Sequence, residues 1–333
     1  MNNRQDFQEV IESLHFKPKD LITDNQRSGV YISQGVIAGK DVLVKIYPKN
    51  NKEKIHAVGK EVLVDEIISK HNRSNPKAFI DTIRVISSGE DKNVRWIVRQ
   101  FRNGSPLTPT SNYKKNDILA NKYCVIDKKF LNLKSKILSQ IFDNLETFRL
   151  VDKKNFMSRQ ILEYFTSRFQ TNIENYNIKT LEKKLGFSLD VQVSNYNKIK
   201  SKYLDKKNYC ASVSDLNLAN ILIDENCKVI FFDFEQFCLD NYMFDPAFFW
   251  LFLWRYPDWQ KEILSHFVKS SDDKDFFVSS IIRIIIGWYE NIFIEYTDEK
   301  ENILTIRKLY QSHIWLRFLD AVGNGYDALI KTK

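Results

Sequence analysis

The stretch Ser212-Val213-Ser214-Asp215-Leu216-Asn217-Leu218-Ala219-Asn220-Ile221-Leu222-Ile223-Asp224, followed by Val229-Ile230-Phe231-Phe232-Asp233-Phe234-Glu235, decides how the rest of the chain is read. Its two short apolar runs, Asn-Ile-Leu-Ile and Lys-Val-Ile-Phe-Phe, flank a polar Asp224-Glu225-Asn226 turn, which is the pattern of a hairpin. Three polar side chains are placed relative to that hairpin. Asp215 and Asn220 stand five residues apart on the loop leading into its first strand, and Asp233 ends the second strand thirteen residues after Asn220. Pairing of the two runs brings these groups together.

On the N-terminal side, the runs beginning at Val30 (VYISQGVI), Asp41 (DVLVKIY), Ile83 (IRVISS) and Val94 (VRWIVRQF) are β-rich and separated by Gly, Asn, Asp and Lys clusters. They predict a small sheet between about Leu21 and Phe101. Within Lys52 to Lys70, Ile55, Val58, Val62 and Ile67 recur at helical spacing, which predicts one helix inserted into that sheet. After Asn103-Gly104-Ser105-Pro106 the period changes. Phe130, Leu133, Ile137, Ile141, Leu145 and Phe148 mark a long amphipathic helix. Helical periodicity returns from Pro246, and the 280s are apolar enough all round to predict a central helix. The expectation is an α+β chain of two lobes: residues 1–102, a β-rich N-lobe with one inserted helix, and residues 103–333, a larger and mainly helical C-lobe.

A length of 333 residues with 43% hydrophobic content excludes disorder and disulfide-held mini-proteins. The four cysteines, Cys124, Cys210, Cys227 and Cys238, lie far apart without a Cys-x-x-Cys pair, so neither a disulfide framework nor a zinc site is signalled. They read as reduced, mostly buried thiols. The opening MNNRQDFQEVIESLHF carries charge before any apolar run, unlike a secretory signal or lipidation motif. Pro246 to Trp254 is too short for a bilayer span, and Val278 to Ile294 is interrupted by Arg283 and Glu290. A cytoplasmic protein without a membrane partner is expected. The five histidines show no metal-ligand spacing, and the aromatic cluster Phe248, Phe249, Trp250, Phe252 and Trp254 reads as helical core.

Phosphoryl transfer from ATP needs a carboxylate to orient or deprotonate the attacking hydroxyl, and hard oxygen ligands for the Mg²⁺ that neutralises the phosphates. Asp215, Asn220 and Asp233 are residue types of that kind. Asp-x-x-x-x-Asn-Ile-Leu followed by a hydrophobic strand ending in Asp-Phe-Glu resembles the aminoglycoside phosphotransferase and choline kinase superfamily, whose fold is protein kinase-like. That resemblance implies Asp215 as catalytic base and Asn220 and Asp233 as Mg²⁺ ligands. Val213 and Ser214 stand where the family carries His and Gly. A kinase also needs a strand Lys for the phosphates and a helix Glu to pair with it. Lys45 in Val42-Leu43-Val44-Lys45-Ile46 fits the first, and Glu61, sixteen residues on, fits the second, with Glu66 as the other candidate partner.

The passage Trp96 to Leu107 resembles the family's strand-to-hinge segment, which implies an adenine-binding hinge at Gln100, Phe101 and Arg102, with Arg99 placing a charge beside the pocket. The phosphate-covering loop is expected between Leu21 and Val30, where Gly29 supplies permissive backbone. Asp245 reads as an N-cap with Pro246 at the first helical position, and Glu235 as a metal or loop contact or a solvated acid. The implied activity is ATP- and Mg²⁺-dependent phosphorylation of a hydroxyl on a small-molecule acceptor. The replaced His and Gly keep a second reading open, a nucleotide-binding pseudokinase or regulatory scaffold.

Family members act on aminoglycosides, macrolides, choline, ethanolamine, methylthioribose, homoserine and glycated amines, and the fold does not choose among them. Between Lys153 and Lys207 the sequence carries twelve Lys or Arg against five Asp or Glu, nearly the whole net charge of +8. Such a segment reads as a solvated helical face or a surface for anionic partners, and it disfavours polycationic aminoglycosides as acceptors. It has no nucleic-acid-binding signature, so a nucleic-acid partner is not expected.

Overall fold

Five antiparallel strands in the order β1-β2-β3-β5-β4 make the first sheet: β1 (Lys17–Asn25), β2 (Val30–Ile37), β3 (Lys40–Pro48), β4 (Val85–Glu90) and β5 (Val94–Gln100). The computed structural model describes residues 3–25, 30–49, 52–91, 93–109, 124–156, 173–295 and 314–332. Helix α1 (Asn3–Ser13) covers one face of this sheet and α2 (Lys52–Ser74), inserted between β3 and β4, covers the other. Because alternate side chains on a strand point to opposite faces, β3 divides between them. Val42, Val44 and Ile46 pack with Phe7, Val10 and Phe16 on the α1 side, while Tyr47 packs with Val58 and Ile97 on the α2 side. Lys45 shares the α2 side.

The sheet starts earlier than the sequence pattern suggests. The backbone of 21–25 is strand rather than the expected loop, because β1 pairs with β2 along its whole length, from Lys17↔Val36 to Asn25↔Val30. The rest of the expected loop, including Gly29, lies outside the described residues.

Beyond Gln100 the chain leaves this sheet through β6 (Gly104–Pro106), which pairs with β8 (Ile221–Asp224); β8 pairs in turn with β9 (Val229–Phe231). A Cβ on Gly104 would lie 2.7 Å from the Ile223 carbonyl oxygen, so only glycine allows this close crossing. A separate ribbon joins β7 (Tyr209–Ser212) to β10 (Cys238–Asn241). The two short ladders hold the segments before and after the Asp215 loop and the Asp233 turn.

Around them pack α3 (Lys134–Arg149), α4 (Ile178–Leu185), α5 (Asp190–Tyr203), α6 (Phe244–Phe252), α7 (Pro257–Phe267), α8 (Ser271–Glu295), α9 (Ile314–Gly323) and α10 (Tyr326–Lys331). Every residue of α6 is buried, and α8 is buried from Phe276 to Ile286 against α6 and α9. Each such side chain contributes roughly 1.5–3 kcal/mol by leaving water. Within that apolar helix, Arg283 is fully buried and makes a bidentate pair with Asp240 of β10, at 2.6 and 2.9 Å. Arg283 also donates to the Tyr203 hydroxyl, which contacts Ser280, so β10, α5 and α8 meet at one closed ionic point. The cysteines are free, with Cys124, Cys210 and Cys238 buried, and burial pushes the Cys124 and Cys238 thiols up to about 12. Among the described residues no helix is long and apolar enough to cross a membrane.

Candidate active site

The site is assembled where β3, β5 and α2 of the first sheet face the Asp-Phe-Glu turn after β9. Lys45 on β3 extends toward α2 and places its Nζ 3.1 Å from Glu61 Oε1 and 2.7 Å from Asp233 Oδ1, the latter across 188 positions of sequence. Glu235 Oε1 lies 3.6 Å from the same ammonium. Glu61 is fully buried, whereas Glu66, the other candidate partner, is exposed and takes no part. One carboxylate oxygen from each of Glu61, Asp233 and Glu235 lies within 4.8 Å of the other two. That grouping already holds a cation, the Lys45 ammonium. Burial lowers the affinity of Lys45 for its proton, but Asp233, Glu61 and Glu235 together raise its pKa overall.

Two residues that the sequence did not place with Lys45 and Glu61 complete this cluster. Arg99 is 2% exposed and its Nη2 pairs with Glu61 Oε2, so the Glu61 carboxylate is divided between two cations. Arg99 therefore joins the Lys45–Glu61 pair from β5. Tyr47, two residues after Lys45 on the same strand face, donates to Glu235 Oε1 at 2.6 Å and lies 3.4 Å from Glu61 Oε1. Glu235 is thus a bridge between β3 and the turn, not a solvated acid. Burial pushes the Tyr47 hydroxyl pKa well up, with Glu235 adding to it, so it stays protonated as the donor. The available sequence signal was position: Arg99 and Tyr47 are polar groups on the strand face that otherwise carries Ile97.

The loop after β7 carries Asp215, half-buried, with Oδ1 accepting from Asn217 Nδ2 at 2.9 Å. Asn220 Nδ2 donates to the Asp215 carbonyl at 2.8 Å, which leaves its Oδ1 without a donor among the described residues. The Phe232 amide donates to the Asn220 carbonyl at 3.2 Å, so the residue before Asp233 is tied directly to Asn220. Asp233 itself is left-handed, φ 66°, a conformation that costs a non-glycine residue roughly 1–2 kcal/mol. Such strain is kept at sites where side-chain direction matters. An amide oxygen and a carboxylate at adjoining ends of one ladder are hard donors of the kind that suits Mg²⁺, and Lys45 beside them suits a phosphate.

Ser214, though not a glycine, adopts φ 64°. Asp245 holds the loop there. Its Oδ2 accepts from the Val213 amide at 2.8 Å, and its Oδ1 accepts from the Ser214 amide and the Ser212 hydroxyl, both at 2.9 Å. This corrects the capping role expected for Asp245. Helix α6 starts two residues earlier than expected, with Met243 at its N-cap and no side-chain cap, so Asp245 lies inside the first turn and reaches across to the loop. Burial pushes its carboxyl up to about 6, against the pull of the two amides and the hydroxyl.

At the expected hinge, the Gln100 amide donates to the Arg84 carbonyl and the Phe101 amide to the Asp41 carbonyl, at 2.9 and 3.4 Å. Arg102 is the hinge amide without a partner among the described residues. Its guanidinium pairs with Asp81 at 2.9 Å, and Lys228 from the β8–β9 turn joins the same carboxylate at 2.8 Å. In the basic segment, Lys200 pairs with Glu174, Lys202 with Asp272 and Lys207 with Asp205, which offsets part of its charge; 157–172 lie outside the described residues.

No family model matches the sequence, and no curated protein matches it by sequence. Solved structures do match the fold. Aminoglycoside phosphotransferase APH(4)-Ia, in a ternary complex with ADP and hygromycin B, aligns over 93% of this chain and 97% of its own, with a TM-score of 0.61 at 9% identity. Spectinomycin phosphotransferase APH(9)-Ia, with ADP and spectinomycin, aligns over 93% and 94% with a TM-score of 0.57 at 12% identity. Choline kinase LicA from Streptococcus pneumoniae aligns over 95% and 99% with a TM-score of 0.55 at 13% identity. The chain has the protein kinase-like fold, with a small β-rich N-lobe and a larger helical part, that these small-molecule phosphotransferases share.

Proposed function

We propose that this protein is an ATP- and Mg²⁺-dependent phosphotransferase acting on a hydroxyl group of a small molecule. The observation that carries the reading is the meeting at Lys45 Nζ of a helix carboxylate, Glu61, and the Asp-Phe-Glu carboxylate, Asp233, at 3.1 and 2.7 Å. Residues 1–102 are assigned to nucleotide binding and residues 103–333 to the catalytic loop and acceptor region. The adenine is assigned to the hinge at Gln100, Phe101 and Arg102, with Gly29 in the loop over the phosphates. A cytoplasmic setting is part of the proposal, since free buried thiols and ATP chemistry belong together there.

When bound, Mg²⁺ would neutralise charge on the nucleotide phosphates. Asp233 and Asn220 are the residues that would hold it, through the carboxylate and the amide oxygen. Lys45, oriented by Glu61, turns its ammonium to the phosphates. Asp215, fixed by Asn217, accepts the proton of the acceptor hydroxyl. The acceptor oxygen then bonds to the γ-phosphorus, the bond from that phosphorus to the β–γ bridging oxygen breaks, and ADP leaves. Most of the rate comes from positioning and charge placement.

The neighbours' hygromycin B, spectinomycin and choline supply the first acceptor panel. Transfer of labelled γ-phosphate from ATP is expected to at least one hydroxyl compound, with Asp215→Ala lowering turnover by about 10²–10⁴-fold while ATP still binds. Unchanged turnover in that variant contradicts the reading. ATP binding without transfer to any acceptor favours the regulatory scaffold that Val213 and Ser214 leave open.

A further inference from the structure

Glu61 needs an explanation that the Lys45 pair alone does not give. Its carboxylate is fully buried, and a carboxylate there is stable as an anion only while it keeps a cationic partner. Lys45 matches one oxygen, and Lys45 is also the group that turns to the nucleotide in the proposed reaction. The other oxygen is held by Arg99, on β5, on the same sheet face as Lys45: Ile97 stands opposite Lys45 in register, and Arg99 is two residues further on. Arg99 is 2% exposed, so this second cation is buried with Glu61.

From this geometry we infer that Arg99 is a positioning residue: it fixes the Glu61 carboxylate in place, so that Lys45 stays aimed when it exchanges Asp233 for nucleotide phosphates. Arg99 touches no nucleotide in this scheme and acts only through Glu61 and Lys45. Burial raises the Glu61 pKa and Arg99 is the foremost group opposing it, in keeping with that role. A buried strand cation shared with the helix carboxylate also separates two functions that a simple Lys–Glu pair merges. Lys45 is free to move, and Glu61 is never left as an uncompensated charge.

The inference rests on the kinase reading, and its test is built to tell the two apart. The readout is Mg²⁺–ATP affinity by titration calorimetry on the full chain, with melting temperature as a control for folding. Arg99→Met is expected to weaken Mg²⁺–ATP binding about tenfold, as the ion pair on Glu61 Oε2 is lost, and Arg99→Lys to recover most of it. Lys45→Met is expected to weaken binding to a similar degree, and Arg99→Met added to Lys45→Met to weaken it no further. A general loosening of the lobe would weaken binding again in the Lys45→Met background, and that result overturns the inference. Wild-type affinity in Arg99→Met overturns it too. If Arg99→Met does not fold, Glu61→Gln with Arg99→Met leaves no unpaired buried charge and carries the same comparison. A wild-type chain that binds no ATP overturns the kinase reading and the inference together, whereas intact wild-type binding with an additive Arg99 effect overturns the inference alone.

Discussion

Two buried ionic clusters in this molecule are built from similar groups and differ in balance and in closure. In the C-lobe, Arg283 and Asp240 form one cation and one anion, both fully buried; Arg283 also donates to the Tyr203 hydroxyl, which contacts Ser280, and Asp240 also accepts from the Asn241 amide. In the cleft, Lys45 and Arg99 face three carboxylates, Glu61, Asp233 and Glu235, and the Asp233 side chain is 35% exposed. The first cluster is neutral and closed, so it can only hold β10 to α8. The second carries one surplus negative charge and opens on solvent, so it can take a further cation and release an ammonium. Similar chemistry gives a fastener in one place and an exchangeable site in the other. Asp245 is a third arrangement, a buried carboxylate held by two amides and a hydroxyl with no cation, and it sets the loop that carries Asp215.

The comparison is tested most strongly at the closed cluster. Arg283→Met leaves the buried Asp240 without its cation, and is expected to lower unfolding free energy by about 3–5 kcal/mol in urea titrations. A loss below about 1 kcal/mol would remove the distinction between fastener and site.

Asp245 gives the next effect, through pH. Its folded pKa of about 6 lies above the ordinary carboxylate value of about 3.9, so the folded state binds this proton more tightly than the unfolded state. The stability it contributes is full below about pH 4 and is lost as pH rises through about 6, by an amount on the order of 3 kcal/mol. Unfolding curves from pH 4 to 7 are expected to show this slope in the wild type and not in Asp245→Asn. Parallel curves would show that the carboxyl is not held up by burial.

The smallest effect is a near-absence of one. Lys45→Met is expected to change stability by no more than about 1 kcal/mol, because Glu61 keeps Arg99 and Asp233 turns to water. A loss comparable to that of Arg283→Met would mean that the cleft cluster is a fastener as well.

Much of this was legible in the sequence, because local pattern and the site's residue types agree. The run from Val30 to Ile37 is β2 as read, the 52–70 periodicity is α2, and Asn-Ile-Leu-Ile with Lys-Val-Ile-Phe-Phe is the β8–β9 hairpin. What local pattern does not carry is pairing at a distance. β1 begins with Lys17-Pro18-Lys19-Asp20 and lies at the sheet's edge, where polar residues are tolerated, so its start was not legible. β6, β7 and β10 are three or four residues long and exist only because partners far along the chain complete them. Arg99, Tyr47 and Asp245 took their roles from contacts across the lobe or between loop and helix. Asp245-Pro246 reads locally as a cap, and only the position of the β7 loop turns that carboxylate away from its own helix.

The most direct measurement for the central claim is the thermal melting midpoint with ATP, with and without Mg²⁺, for the wild type and Asp233→Ala. A ligand that binds only the folded state raises the midpoint, by about 2.7 kcal/mol of stability at a hundred times its dissociation constant. The account predicts a Mg²⁺-dependent rise in the wild type that Asp233→Ala abolishes. No rise with nucleotide, or an equal rise in the variant, would contradict it.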